Sequence, residues 1–324
     1  MKYQIKIELH LYIHREGQRK SRENSEKKTS PRAFCMLAEH EVERLRPLMS
    51  CSTIDNYMTA LRSFLKFLSE TKTSGQMDND LLKHYERWLH DHHLKPNTSS
   101  CYMRSLRSLF SKIYGEDTKS LFHQVYTGRS VTDKRSLSVE DIAQLKEVRL
   151  KPHSFLSLVR DLFLFSFYAL GMPFVDMAFL RKEQISKGLI TYYRHKTGQQ
   201  ISMRIEPCMQ DIINRYQRPD SDYVFPILKS MDSQKTYGEY LLMLNRYNRA
   251  LKRLATKANV NWRLTSYVAR HTWASAAYSN NVELPVISKA LGHANPQHTL
   301  IYIRQIDDQR LYDANHQLLR KLLI

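Results

Sequence analysis

The chain has 324 residues, 42% of them hydrophobic, and a formal net charge of +18. That length and apolar content suit two domains with their own cores, and so positive a balance points to a polyanionic partner, nucleic acid before a membrane surface. No run approaches the ~20 apolar residues of a bilayer span, residues 1–14 alternate instead of forming a signal-peptide core, and Cys35, Cys51, Cys101 and Cys208 show no C-x-x-C spacing, so a cytoplasmic chain with no membrane association, disulfide framework or zinc site is expected.

Tyr3, Ile5, Ile7, Leu9, Leu11 and Ile13 occupy every odd position, the period of a β-strand, which needs an edge from this chain or another subunit. Residues 15–32 contain no hydrophobic residue and read as a solvated basic linker able to lie along a phosphate backbone. Helical periods follow at 33–46, 52–70, 78–93 and 97–114. In the second, Ile54, Met58, Leu61, Leu65 and Leu68 form the apolar stripe, with Ser52 or Thr53 expected as the cap. In the third, the stripe is Leu81, Leu82, Tyr85, Trp88 and Leu89. His84, His90, His92 and His93 crowd its end, but His92 and His93 cannot share a helical face, so a solvated helix end is expected there, not a metal site. Pro96-Asn97-Thr98 reads as a stop followed by a cap. The fourth helix has Tyr102, Leu106, Leu109 and Ile113 on one side. Its other side shows Ser100, Arg104, Arg107, Ser108, Ser111 and Lys112. Arg104, Arg107, Ser108 and Lys112 are candidate DNA contacts, because charge plus short donors is what a phosphate backbone requires.

Residues 115–136 lose the period, and a boundary is placed near Gly128. The expected organisation is a strand and basic linker at 1–32, an all-helical DNA-binding domain at 33–128, and a second domain at 129–324. Ser138-Val-Glu-Asp is a capping pattern opening a helix to about Val148. A strongly apolar helix at 155–170 ends at Gly171, and Pro173 suits the first turn of another, running through Asp176 to Leu180. Leu189-Ile-Thr-Tyr-Tyr and Ile201-Ser-Met-Arg-Ile flank Lys196-Thr197-Gly198, a β-hairpin with Lys196 near its turn. Helices are predicted again at 207–217, 236–259, 265–280, 282–291, 296–304 and 308–321. The fold class is mainly α: an all-helical first domain, then a mainly α second domain with a small antiparallel sheet.

The chemistry concentrates in TSYVARHTWASAAYSNNVELPVISKALGHANPQHTLIYI, residues 265–303, which holds Arg270, His271, His293 and, nine residues after His293, Tyr302. Arginine and histidine neutralise phosphate oxygens, and tyrosine is an oxygen nucleophile when cations or a base lower its ordinary pKa of about 10. One tyrosine among 19 means nothing alone; its setting gives it meaning.

Four blocks in this order, FLFSFYALGMPFVDMAFL, YRHKTGQQ, VARHTWASA and LGHANPQHTLIYI, resemble the tyrosine recombinase (phage integrase) family. The helical first domain is similar to that family's core-binding domain, so the resemblance covers about residues 33–324. It implies that Tyr302 is the nucleophile, Arg270 the second catalytic arginine, His293 the histidine-or-tryptophan position and Lys196 the hairpin lysine that protonates the leaving 5′ oxygen. It implies site-specific cleavage and rejoining of double-stranded DNA through a 3′-phosphotyrosyl link, with no metal, ATP or other cofactor, on a homotetramer assembled over paired sites. The helix at 309–323 is expected to dock on a neighbouring subunit or on its own domain.

Two positions depart from the pattern. The first catalytic arginine falls at Pro173, with Asp176 matching the acidic residue three further on; the histidine three before the second arginine is Tyr267, which keeps a hydroxyl but is a poor base. Loss of one transition-state arginine costs about a thousandfold or more, so another cation is expected in its place, Arg160, Arg181, Lys182 and Arg304 being the sequence-near candidates. An integrase or invertase of a mobile element is the leading reading. A catalytically impaired DNA-binding relative and a type IB topoisomerase-like relaxing enzyme are the alternatives.

Overall fold

The computed structural model describes residues 30–73, 75–115, 119–130, 136–229, 233–293, 295, 297–300, 315–316 and 319–320. The expected strand at 3–13, most of the basic linker, Tyr302, Arg304 and most of the expected C-terminal helix lie outside them. Two compact units result, Met1–Val131 and Thr132–Ile324.

The first unit is helical: α1 (Pro31–Leu45), α2 (Cys51–Glu70), α3 (Asn79–Asp91), α4 (Pro96–Tyr114) and the single turn α5 (Lys119–Phe122). Their apolar stripes meet in one core where Phe34, Leu61, Phe64, Leu82, Tyr85 and Leu106 are fully buried. The α2 cap is Ser50, whose hydroxyl accepts from the Thr53 amide, not Ser52 or Thr53: the helix starts a turn earlier than its apolar stripe. Likewise Pro96 is the first helical residue of α4 and Lys95 its uncapped boundary, so Asn97 and Thr98 are inside the helix. Proline suits that position because its missing N–H would have no intrahelical partner there. The His92 ring packs at a tilt against Trp88, ring centroids 3.9 Å apart, and its Nδ1 lies 2.8 Å from the Trp88 carbonyl.

The second unit begins with α6 (Val139–Glu147), where Ser138 and Asp141 form the expected reciprocal capping box. Next comes α7 (Phe155–Tyr168), then α8 (Phe174–Ala178). Helix α7 is apolar nearly all round and sits centrally, with Val159, Leu162, Phe163 and Phe165 at most 1% exposed. Its buried Asp161 accepts from Arg160 Nε (2.9 Å), Arg215 Nη1 (2.6 Å) and the Tyr216 hydroxyl (2.8 Å). A three-stranded antiparallel sheet follows, β1 (Ile185–Ser186), β2 (Leu189–Tyr193) and β3 (Gln200–Arg204), in that spatial order. The short β1 is too brief to show a period in the sequence. In the β2–β3 hairpin Ile190 pairs with Met203 and Tyr192 with Ile201, and all four are buried, the alternation a one-sided sheet demands. The remaining helices are α9 (Pro207–Tyr216), α10 (Ser233–Lys257), α11 (Val268–Ser279), α12 (Leu284–Leu291) and the turn α13 (Gln297–Leu300). Among the described residues no helix is long and apolar enough to cross a membrane.

Candidate functional site

Five pieces of the second unit meet around the end of α12. That end is a Schellman motif: the His293 amide donates to Ser288 O (3.1 Å) and the Gly292 amide to Lys289 O (3.0 Å). Gly292 takes the left-handed conformation the motif needs, φ +60°. The motif satisfies the Ser288 and Lys289 carbonyls and leaves those of Leu291 and Gly292 for side chains. At a helix C-terminus these oxygens carry partial negative charge, which favours cations.

Arginines take up that offer. Arg270, in the first turn of α11 beside the buried Val268, Ala269 and Ala274, is 2% exposed. Its Nη2 donates to Leu291 O at 2.5 Å and its Nη1 to Gly171 O at 2.9 Å. Nη2 also lies 3.2 Å from His293 Nε2. A guanidinium only donates, so in this contact Nε2 is the acceptor and the proton sits on Nδ1, which donates to Thr299 Oγ1 at 2.8 Å. The second arginine is Arg194, 6% exposed, at the C-terminal end of β2. Its Nη1 donates to the same Leu291 carbonyl, and its Nε lies 2.9 Å from Asp176 Oδ2. Asp176 Oδ1 accepts from the His195 amide at 2.9 Å. Burial pushes the Asp176 carboxyl above its ordinary range, against the pull of Arg194. Two buried guanidiniums therefore converge on one oxygen, with His293 against one of them, an arrangement suited to holding an anion.

The hairpin turn is pinned to the same place. Gly198 donates to Arg194 O (2.8 Å), closing the turn, and Thr197 Oγ1 donates to Gly292 O (3.2 Å). Lys196 lies within this turn, directly before Thr197, and is exposed to solvent. Tyr267 precedes the first turn of α11, 49% exposed, its ring centroid 6.1 Å from that of His271. The structure thus brings Arg270, His293, Asp176 and the Lys196 turn together and leaves Tyr267 on the surface one turn before Arg270. Pro173 is the N-terminal boundary of α8, with extended backbone.

Of the sequence-near cations named for position 173, the three described ones are engaged elsewhere, and Arg304 lies outside the described residues. Arg160 pairs with Asp161 and donates to Val148 O at 2.8 Å. Arg181 lies 3.6 Å from Glu183, and Lys182 donates to Arg218 O. Arg194 was missed because it sits 21 residues from position 173 and reads as one more hairpin charge. The signal available was its spacing, two residues before Lys196 in an already suspect turn.

On α4 of the first unit, Lys112 is exposed and Arg107 and Ser108 are half-buried. Ser108 Oγ lies 2.8 Å from Tyr57 OH, and Arg104 Nη1 reaches the Gly128 carbonyl at 3.4 Å. Ser100 does not share this surface: it is fully buried and donates to Gly128 O at 2.6 Å, a small residue let into the core by satisfying a loop carbonyl. Glu41 of α1 lies near enough to Lys112 for the lysine to help hold its carboxyl below the ordinary range, after the Arg44 pair that does most of it.

Gly292 gives a direct test of how tightly the site is set. A Cβ there would lie 2.9 Å from both Arg194 Cγ and Ile201 Cδ1. Gly292→Ala is expected to lower unfolding free energy by about 1–3 kcal/mol, from the left-handed backbone and the clash together, read by urea titration. An unchanged midpoint would mean the arginine and the hairpin yield freely.

Residues 135–309 match the family model described as "Phage integrase family", and residues 33–123 that described as "Phage integrase SAM-like domain". The chain is similar to tyrosine recombinase XerA of Pyrococcus furiosus, 28% identical over 176 residues covering 52% of this chain and 57% of that protein. It is similar to tyrosine recombinase XerD of Rhizobium meliloti, 25% identical over 307 residues covering 84% and 91%. A lambda integrase tetramer bound to a Holliday junction shares the fold with a TM-score of 0.62 at 13% identity, over 92% of this chain and 84% of that one.

Proposed function

We propose, from the premise that this chain belongs to the phage integrase family, that it is a site-specific DNA recombinase acting on double-stranded DNA as a homotetramer over paired sites. The observation that carries this reading is the convergence of Arg270, His293 and the Lys196 turn on the end of α12, followed nine residues after His293 by Tyr302. The Tyr302 phenol gives its proton to water and its oxygen attacks the scissile phosphorus. A Tyr–O–P bond forms, the bond to the 5′ oxygen breaks, and Lys196 gives that oxygen a proton. Arg270 donates to the non-bridging oxygens, where charge builds, and His293 adds a donor there once the phosphate replaces it as the partner of Arg270 and its Nε2 carries a proton. The phosphodiester energy stays in the 3′-phosphotyrosyl link, so rejoining needs no nucleotide. Asp176 positions its neighbours from behind, and Tyr267 offers a hydroxyl at the rim. The helical unit, with Arg104, Arg107, Ser108 and Lys112, grips the flanking backbone. The three proposed segments remain 1–32, 33–128 and 129–324.

Covalent capture tests this reading. The purified chain is incubated with a nicked random-sequence duplex library, and DNA that stays with the protein through boiling in detergent is sequenced. Recovery of one sequence family is expected and supplies the target site. Absence of any covalent DNA would overturn the proposal, and capture with no sequence preference would favour a relaxing enzyme. Affinity for the selected duplex should also fall steeply with salt, about a thousandfold or more between 50 and 200 mM if six or more phosphates are contacted; a flat response would contradict the role given to the basic helix.

A further inference from the structure

The residue that takes over the charge missing at position 173 is legible in the geometry. Pro173 opens α8, and the carboxylate of α8, Asp176, is ion-paired with Arg194 at 2.9 Å. Arg194 is delivered from the hairpin, not from α8, yet its guanidinium meets that of Arg270 at the Leu291 carbonyl. The two are buried to a similar degree, 6% and 2% exposed. Each uses one terminal nitrogen on that oxygen, so the two forks are aimed at a common point. Two cations this close repel each other in a low-dielectric setting. Asp176 offsets one charge, and an anionic oxygen between the forks would offset the other. A phosphate oxygen is a stronger acceptor for these donors than a neutral carbonyl. Among the described residues Arg194 Nη2 makes no hydrogen bond, so one edge of its fork remains for such a ligand.

We infer that Arg194 is a catalytic residue: with Arg270 it contacts the non-bridging oxygens of the scissile phosphate and supplies the second guanidinium that position 173 lacks. The inference rests on the recombinase reading above. The arrangement keeps the catalytic set at two arginines while moving the source of one of them from the start of a helix to the end of a strand. It also ties that arginine to the leaving-group acid. Arg194 and Lys196 share one turn, so whatever seats the hairpin on the end of α12 seats both.

The test compares the native chain with Arg194→Ala and Arg194→Lys on the selected duplex, nicked beside the cleavage position. It then repeats the comparison with a methylphosphonate, which lacks the negative charge, at the scissile position. On the phosphate, Arg194→Ala is expected to slow adduct formation about a thousandfold or more. On the methylphosphonate the penalty should shrink to about tenfold or less, the scale of one lost hydrogen bond. Arg194→Lys, which keeps a charge but not the fork, should fall between. A residue that merely braced Asp176 and the hairpin would show equal penalties on both substrates, and that result would overturn the inference. So would an Arg194→Ala rate equal to native on the phosphate. Should Arg194→Ala fail to fold, the Arg194→Lys pair of measurements decides by the same comparison. Failure of the native chain to form any adduct would instead remove the recombinase reading itself.

Discussion

Tyr302→Phe abolishes the covalent adduct while leaving binding to the selected duplex within about twofold of native; this is the largest single effect expected of the chain. The substitution removes one oxygen and keeps the ring, so packing and charge are conserved and only the attacking atom is lost. No second hydroxyl substitutes at full rate, because in-line attack requires the nucleophile within about 3–3.5 Å of phosphorus on the face opposite the leaving oxygen. Tyr267 is the alternative to exclude, since it lies one turn before Arg270 and is exposed. Tyr267→Phe is therefore run beside Tyr302→Phe. Adduct lost only in the first identifies Tyr302; adduct lost only in the second transfers the role to Tyr267. An undiminished adduct in both variants would exclude each of them as nucleophile.

The helical architecture was legible because its elements are long and strongly periodic. The α2 and α4 stripes, the apolar α7 and the β2–β3 hairpin all follow from hydrophobic spacing, and burial sorts each stripe inward. Helix starts were less legible. Ser50 caps α2 and Pro96 begins α4 because a cap is chosen by one or two polar residues, and neighbouring serines and threonines compete on nearly equal terms. Ser100 shows the same limit on a face: its hydroxyl looked like a phosphate donor, but a loop carbonyl 28 residues away consumes it. The site divides in the same way. Arg270, His293 and Lys196 stand in recognisable blocks. Arg194 stands in the same block as Lys196, but nothing in that block singles it out, because its meaning comes from the Leu291 carbonyl, 97 residues further along the chain. That contact exists only because Gly292 turns the chain out of α12. A glycine after an apolar helix was visible in the sequence; what its turn exposes depends on two elements folding against it.

Arg270→Ala carries the second large effect: adduct formation is expected to fall about a thousandfold or more. Two separate losses are folded into that number. The phosphate loses a bidentate cation. The fold also loses the donor to Gly171 O, and that buried carbonyl left unpaired costs about 1–3 kcal/mol, while Leu291 O keeps Arg194. Gly171 sharpens the second loss, since its left-handed backbone brings it so close to Arg270 that a Cβ there would lie 3.0 Å from the Arg270 Cα. The variant's melting temperature and its affinity for the selected duplex therefore have to be measured with its rate. Arg270→Lys separates the two contributions. A lysine keeps the charge, but one ammonium cannot meet Gly171 O, Leu291 O and His293 Nε2 in the directions the planar fork reaches. If geometry matters as much as charge, Arg270→Lys loses most of the rate and stays folded. If charge alone matters, it recovers most of it. A folded Arg270→Ala chain that forms adduct at the native rate would place Arg270 outside the chemistry, and with it the convergence on Leu291 from which the function is read.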